Sequence, residues 1–262
     1  MTSNTTTRRT VMRSAAWTAP AVVVAGSAPA LAASPDPCEP QPVTIDWDSG
    51  NYRRISDRAG VYTIVLPDGS TETLNITSSF SAMDPGSPSP NADSPRDDNY
   101  AITTFPIGGP DGEPGLTFHQ SDFRYTNRPR NSRVTNGYQD ITFTFSREVQ
   151  SVNFAVTDLD WLEKDFRDAV VPSENLQATP ASGVRIADAR WAGTVYEGAY
   201  LKDTPGLTDS DDASSNVQLT GGPMTRFTLR YLNADRTFNQ HPDRDQKIFI
   251  TDLQVGITPA DC

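Results

Sequence analysis

Apolar and polar residues alternate along much of this chain with a period of two positions. The alternation is regular over residues 141–145, 152–156 and 227–231, where a large apolar or aromatic residue takes nearly every second place. Successive side chains of a β-strand point to opposite faces, so each segment predicts a strand with one buried face and one polar face. No segment shows the 3.6-residue period of an amphipathic helix of three turns.

Shorter segments extend this pattern and predict an all-β fold. Residues 61–66 and 71–76 flank Pro-Asp-Gly-Ser at 67–70 and predict a hairpin. Further short strands are predicted at residues 43–47, 100–105, 116–119, 184–187, 195–201, 217–219 and 247–255. Many short strands separated by turns are typical of an antiparallel β-sandwich, here jelly-roll-like with long loops rich in Pro, Asp and Gly. One such loop, residues 84–99, lacks core-forming residues and is expected to be mobile.

The first 32 residues carry the regions of an export signal. Arg8 and Arg9 precede a weakly apolar run over residues 14–26, and Ala30 and Ala32 are the small residues that a signal peptidase accepts. The apolar run is too short for a permanent membrane anchor. The paired arginines indicate a twin-arginine (Tat) signal, so we expect the Tat translocon as a partner during export.

The mature protein predicted from this signal, residues 33–262, is expected to be a single domain that is secreted or associated with the cell wall. No apolar tail or sorting motif follows at the C-terminal end, so no stable membrane anchor is expected. The chain has 22 basic and 33 acidic residues and a net charge of −11. This charge disfavours nucleic acid and anionic lipid as partners and favours cations.

Cys38 and Cys262 are the two cysteines of the chain, and they lie near the two ends of the predicted mature protein. Cysteines usually pair in an oxidising compartment, so a disulfide between them is predicted, with two free thiols as the alternative. The chain-entropy model gives such a long loop about 5 kcal/mol of stabilisation. The bridge would suit a domain whose first and last strands are neighbours.

A group of acids follows the strand predicted at residues 152–156. Asp158 and Asp160 occupy alternate positions, so in a continued strand both carboxylates would leave the same face. Asp165 and Asp168 follow, and Asp252 lies in a second Thr-Asp-Leu sequence. Calcium takes roughly six to eight oxygen ligands, and these five acids predict a structural calcium site. The alternative is a set of surface or turn acids capped by backbone N–H groups and arginine partners.

Three segments of the second half carry a pattern of their own. A strand pair over residues 142–154 runs into Asp158 and Asp160, Phe-x-Asp-Ala-Val follows at 166–170, and Ile-x-Ile-Thr-Asp-Leu-x-Val at 248–255. Together they resemble a β-sandwich module of secreted and surface proteins of bacteria, particularly actinobacteria. Such modules are associated with surface display and adhesion, mostly without an assigned activity. The resemblance implies a sandwich fold and an extracellular setting. It does not indicate a particular ligand.

Carbohydrate is the ligand that best suits an exported sandwich, because aromatic faces stack on sugar rings and calcium can order the loops around them. Trp161 is the strongest candidate for contact with a sugar, since it lies beside the acid pair; Trp191 and Tyr196 are the others. The alternative for each is a place in the core, because large aromatic side chains are usually mostly buried.

Sequence signals of catalysis are poor. His119 and His241 fit no metal-ligand spacing, and neither a Gly-x-Ser-x-Gly motif nor a phosphate-binding glycine loop occurs. We therefore predict a non-catalytic binding or adhesion module for an extracellular glycan or cell-wall polymer. Two alternatives stay open. A polysaccharide-acting hydrolase or lyase needs only a pair of carboxylates, and a structural component of the cell envelope needs no ligand site.

Overall fold

Sixteen β-strands and one short 3-10 helix make up the regular structure of the described residues. The structure is a computed structural model that describes residues 38–81, 99–109, 112–120, 138–162, 166–191, 194–234 and 246–259, without the side chains of residues 188–198. The strands are β1 (Gln41–Ile45), β2 (Tyr52–Ser56), β3 (Ala59–Val65), β4 (Thr71–Ser81), β5 (Leu116–Gln120), β6 (Tyr138–Val149), β7 (Ser151–Thr157), β8 (Trp161–Leu162), β9 (Phe166–Pro172), β10 (Leu176–Pro180), β11 (Val184–Trp191), β12 (Thr194–Lys202), β13 (Val217–Gly221), β14 (Met224–Asn233), β15 (Gln246–Ile250) and β16 (Leu253–Ile257). The 3-10 helix, Ala213–Ser215, precedes β13.

The strands form two large antiparallel sheets. A seven-stranded sheet has the order β1-β16-β7-β13-β10, with β15 pairing both β7 and β5. A nine-stranded sheet has the order β11-β12-β9-β14-β6-β4-β3-β2, with β8 beside β9. The predicted all-β antiparallel sandwich is confirmed.

Alternation in the sequence places the core between the two sheets. Along β6 every second residue is buried from Gln139 to Phe145. Phe143 of β6 stacks on Phe227 of β14, with ring centroids 4.5 Å apart. Phe154 of β7 lies 5.3 Å from the Phe227 ring and joins the opposite sheet to this stack. Aromatic pairs of this kind add about 0.5–1.5 kcal/mol beyond the burial of their area.

Two of the predicted strands are not single strands in the structure. Residues 100–105 form no strand: Tyr100 has φ 68°, and Ile102 makes an isolated bridge to Leu116. The segment 247–255 is two strands, because Thr251 leaves the ladder and its hydroxyl accepts a hydrogen bond from the Ala155 N–H at 2.8 Å.

The segment predicted as a mobile loop, residues 84–99, falls outside the described residues except for its last residue. Asn99 is fully buried. Its Nδ2 donates to the Asp57 carbonyl at 2.6 Å, and its Oδ1 accepts from the His119 N–H at 2.8 Å. Asn99 is therefore an anchored part of the fold, which differs from the expectation for this end of the segment.

The first and last described strands are neighbours. β1 pairs with β16 from Gln41 opposite Ile257 to Ile45 opposite Leu253. This pairing is the arrangement that a Cys38–Cys262 bridge requires. Cys262 lies outside the described residues, so the disulfide stays a prediction.

The predicted export signal, with Arg8, Arg9, Ala30 and Ala32, also lies outside the described residues. In the part of the chain that the structure describes, no helix is long and apolar enough to cross a membrane.

Candidate functional site

The acid group predicted from the sequence begins where β7 ends. Thr157 is the last residue of the strand, and Asp158 has a left-handed backbone, φ 65°. An aspartate tolerates this conformation better than most residues. The expectation that Asp158 and Asp160 leave one face of a continuing strand is wrong, because the strand stops one residue before Asp158.

Two hydrogen bonds join Asp160 to Asp168, one between their backbones and one from the Asp160 backbone to the Asp168 carboxylate. The Asp168 N–H donates to the Asp160 carbonyl at 2.8 Å, and the Asp160 N–H donates to Asp168 Oδ2 at 3.0 Å. The Tyr231 hydroxyl donates to Asp168 Oδ1 at 2.7 Å. Both oxygens of the fully buried Asp168 thus accept protein hydrogen bonds, and Asp168 is a structural residue of this site.

Burial governs the charge state of these acids. It raises the pKa of Asp168 well above its ordinary value, and the hydrogen bonds from Tyr231 and Asp160 offset only part of this rise. Burial also raises the pKa of Asp160, against the hydrogen bond that its Oδ1 accepts from the Thr208 N–H at 2.7 Å. A carboxylate withdrawn from water favours its neutral form, which is the common cause of both rises.

Asp158 has the most unusual environment of the three. Its Oδ1 is buried and has no hydrogen-bond partner among the described residues. Burial raises the pKa of Asp158 to about 7, and the neighbouring Asp160 charge adds to the rise, while Lys202 and Lys247 lower it. Lys202 is itself buried and its Nζ donates to the Thr208 hydroxyl.

Trp161 follows the acid pair in the short strand β8. Its N–H donates to the Gly206 carbonyl at 3.3 Å, and the Gly206 N–H donates back at 2.7 Å. The guanidinium carbon of Arg167 lies 3.9 Å from the centre of the half-buried indole ring. Arg167 Nε in turn donates to the Lys202 carbonyl at 3.0 Å. Trp161 is therefore held through its backbone by Gly206 and on one face of its ring by Arg167.

Two exposed leucines follow the two residues of the Trp161–Gly206 bridge. Leu162 follows Trp161 and is 43% exposed, and Leu207 follows Gly206 and is 65% exposed. We call Trp161, Leu162 and Leu207 the Trp161 edge. A partly buried indole held in place, with exposed leucines as chain neighbours, makes this edge a candidate for contact with a ligand.

Among the other predicted calcium ligands, Asp252 lies away from Asp158. Asp252 lies in the connection between β15 and β16, where its Oδ1 accepts from the Trp47 N–H at 3.1 Å. The preceding Thr251 bonds to Ala155, three residues before Asp158, or about 10 Å along an extended strand. Asp165 lies outside the described residues. Within the described ranges, no group of three or more His, Cys, Asp or Glu side chains is placed to hold a metal. The five-acid calcium site stays a prediction.

The two other candidate aromatics lie at one end of the nine-stranded sheet, Trp191 on the edge strand β11 and Tyr196 on the adjoining strand β12. Trp191 pairs with Thr194 and Tyr196 pairs with Ala189 in the β11–β12 ladder. Their side chains lie outside the described part of the structure, so their role in binding stays a prediction.

Several functional residues were not found by sequence reasoning. They are Arg167, Lys202, Thr208, Ser215 and Asn216. The one usable signal was the presence of Arg167 and Asp168 inside an otherwise apolar run, since charged residues in a buried strand need partners. The other residues lie far along the chain, at the end of β12 or in the connection between β12 and β13, and short-range patterns carry no information on them.

A concave surface lies elsewhere, between β1, β16 and the turn after β3. This groove has a volume of about 270 Å³ and none of its described lining residues is aromatic. It offers no ring on which a sugar can stack.

Comparison with known proteins identifies no family. No family model matches this chain, and no curated protein matches it. Among solved structures, the crystal structure of a GH31 alpha-xylosidase from Xanthomonas citri aligns with 77% of this chain at 9% identity and a TM-score of 0.15. The chain spans 21% of the length of that enzyme. A superposition of this quality says nothing about activity, and the site must be interpreted from its own geometry.

Proposed function

We propose that this protein is exported by the Tat route and acts outside the membrane as a non-catalytic β-sandwich that binds carbohydrate. The observation that carries the proposal is the Trp161 edge. A sugar ring needs a rigid aromatic face or rim with polar groups beside it, and rigidity lowers the entropic cost of binding. Trp161 is fixed by Gly206 and Arg167 before any ligand arrives.

The charges beside the edge suit a polar ligand. Asp160 and Lys202 both form hydrogen bonds with Thr208, which follows the exposed Leu207: the Thr208 N–H donates to Asp160, and Lys202 Nζ donates to the Thr208 hydroxyl. Binding sites commonly combine apolar surface with a few polar groups that fix the orientation of the ligand. A glycan or a cell-wall polymer of sugars presents both the apolar ring face and the hydroxyls that such a site recognises.

A polysaccharide-acting enzyme is the second candidate, and the raised pKa of Asp158 favours it. A carboxyl group with a pKa of about 7 can act as a general acid at neutral pH. Against this role, Asp158 Oδ1 is buried, and Asp160 Oδ1 already accepts the Thr208 N–H. Binding without cleavage is therefore the preferred function.

A glycan array probed with the purified protein, in calcium and in chelator, tests the proposal. We expect binding to at least one class of oligosaccharide, with no new reducing ends released. Trp161→Ala should lose the signal, and Phe105→Ala should keep it, because Phe105 is a 42% exposed aromatic residue that packs on Phe249 on the other sheet.

Three other outcomes of this experiment would contradict the proposal. Binding to no sugar in either condition would remove the carbohydrate proposal and favour a structural envelope component. Release of reducing ends would favour the enzyme. Equal loss of signal in both variants would show that the Trp161 edge is not the contact surface.

A further inference from the structure

Four buried side-chain oxygens belong to residues at the place where β7 ends beside the start of β13. Each has no hydrogen-bond partner among the described residues. They are Thr157 Oγ1, Asp158 Oδ1, Ser215 Oγ and Asn216 Oδ1. Thr157 and Ser215 are fully buried, and Asn216 is 8% exposed.

The strand register brings these residues together. Val156 pairs with Val217 in the antiparallel β7–β13 ladder, and the next pair along places Thr157 opposite Asn216. Opposite residues of an antiparallel pair point to the same face, with Cβ atoms about 4.5–5.5 Å apart. Ser215 is held beside this pair, because its carbonyl accepts the Leu159 N–H at 3.4 Å.

This common face is the outer face of the seven-stranded sheet. Further from the strand ends, two residues along β13 from Asn216, Gln218 Nε2 donates to Asn153 Oδ1 at 2.5 Å on that face. Residues separated by an even number of positions in a strand point to the same face of the sheet. Asn216 therefore shares a face with Gln218, and Thr157 shares a face with Asn153. Thr157 and Asn216 therefore point to this outer face and not into the apolar core.

Buried oxygens without a donor are unfavourable, so in solution something must satisfy them. All four unsatisfied atoms are oxygens, and one belongs to a carboxylate. Hydroxyl, amide and carboxylate oxygens are the ligands of hard cations. The occupant is therefore either a cation or ordered water, and the carboxylate favours the cation.

We propose that Thr157, Asp158, Ser215 and Asn216 form a calcium site at the end of β7. Only Asp158 belongs also to the five-acid group predicted from the sequence. Calcium suits this set better than magnesium, because calcium accepts irregular geometry and neutral oxygens.

The nearby charges of Lys202 and Lys247 weaken the site, so we expect a dissociation constant of about 0.1–1 mM, in the range of extracellular calcium modules. The site is independent of the carbohydrate proposal.

Thermal melting and titration calorimetry of the purified full-length protein, stripped with chelator, test this site. We expect about 10 mM calcium to raise the melting temperature by about 5 °C, and equal magnesium to raise it by less than half of that. Thr157→Val and Asp158→Asn should each weaken calcium binding at least about tenfold. Asp211→Asn, an exposed acid of the neighbouring loop, should bind as the unchanged protein does.

Both site variants are chosen so that they fold. Valine matches the shape of threonine, and asparagine tolerates the left-handed backbone of residue 158. In chelator, Thr157→Val should melt at or above the temperature of the unchanged protein, because it removes a buried oxygen without a partner. Absence of a calcium-dependent shift and of binding heat in the unchanged protein would overturn the proposal and assign water to the cluster. Unchanged calcium affinity in Asp158→Asn would overturn it as well.

Discussion

Removal of the Tyr231 hydroxyl tests the interpretation of Asp168 as a buried structural acid. In Tyr231→Phe the ring stays, and the hydroxyl that donates to Asp168 Oδ1 at 2.7 Å is lost. Both residues are fully buried, so water cannot replace the donor without entering the fold. Hydrogen bonds to charged groups contribute about 1.5–3 kcal/mol and neutral ones about 1 kcal/mol. We therefore expect a loss of about 1–3 kcal/mol in the free energy of unfolding.

The loss should depend on pH in a defined direction. Burial raises the pKa of Asp168 in the folded protein above its unfolded value. The folded protein therefore holds this proton more tightly, and the contribution of Asp168 to stability falls as the pH rises from the unfolded pKa through the folded one. Tyr231 lowers the folded pKa, so its removal raises that pKa further. The stability deficit of Tyr231→Phe should therefore grow from about pH 5 to about pH 8.

Urea unfolding at the two pH values measures this deficit, and a second tyrosine provides the control. Tyr100 is equally buried, but its hydroxyl pairs with the neutral Ser78 hydroxyl at 2.7 Å. Tyr100→Phe should cost about 0.5–1.5 kcal/mol at both pH values. A Tyr231→Phe deficit that is larger at pH 5, or below about 0.5 kcal/mol at both values, would refute the reasoning on Asp168.

Two further predictions concern the core and the chain ends. Phe227→Ala removes the ring that contacts both Phe143 and Phe154, so it should lower the free energy of unfolding by about 3–5 kcal/mol in urea titrations; a loss below about 1 kcal/mol would contradict its place between the sheets. Cys38→Ser should cost about 2–5 kcal/mol, since the predicted bridge to Cys262 would restrict the unfolded chain. Equal melting of the unchanged protein with and without reductant would contradict that bridge.

The alternation of apolar residues predicted the strands that have one face on the core. Residues 141–145 lie in β6, and the hairpin around residues 67–70 joins β3 to β4. β9 could not be predicted in this way, because its first five residues are all buried and show no alternation. Arg167 and Asp168 are charged positions in that run, and their partners Lys202 and Tyr231 lie far away in the sequence.

The candidate site was only partly predictable for the same reason. Adjacent acids such as Asp158 and Asp160 are visible in a sequence, but the backbone turn at Asp158 is not, and it changes the direction of both carboxylates. Lys202 and Thr208 help to define the environment of these acids, and they lie at and after the end of β12, far from the acids in the sequence. Sequence patterns carry periodicity and local chemistry, whereas the contents of a site depend on which strands become neighbours.

Binding of an array-positive oligosaccharide, measured by titration calorimetry, tests the proposed function most directly. We expect Trp161→Ala to weaken binding at least about tenfold, which corresponds to the loss of an aromatic contact of about 1.4 kcal/mol or more. We also expect the oligosaccharide to be recovered intact after prolonged incubation. Unchanged affinity in Trp161→Ala, or recovery of cleaved sugar, would contradict a carbohydrate-binding module built on the Trp161 edge.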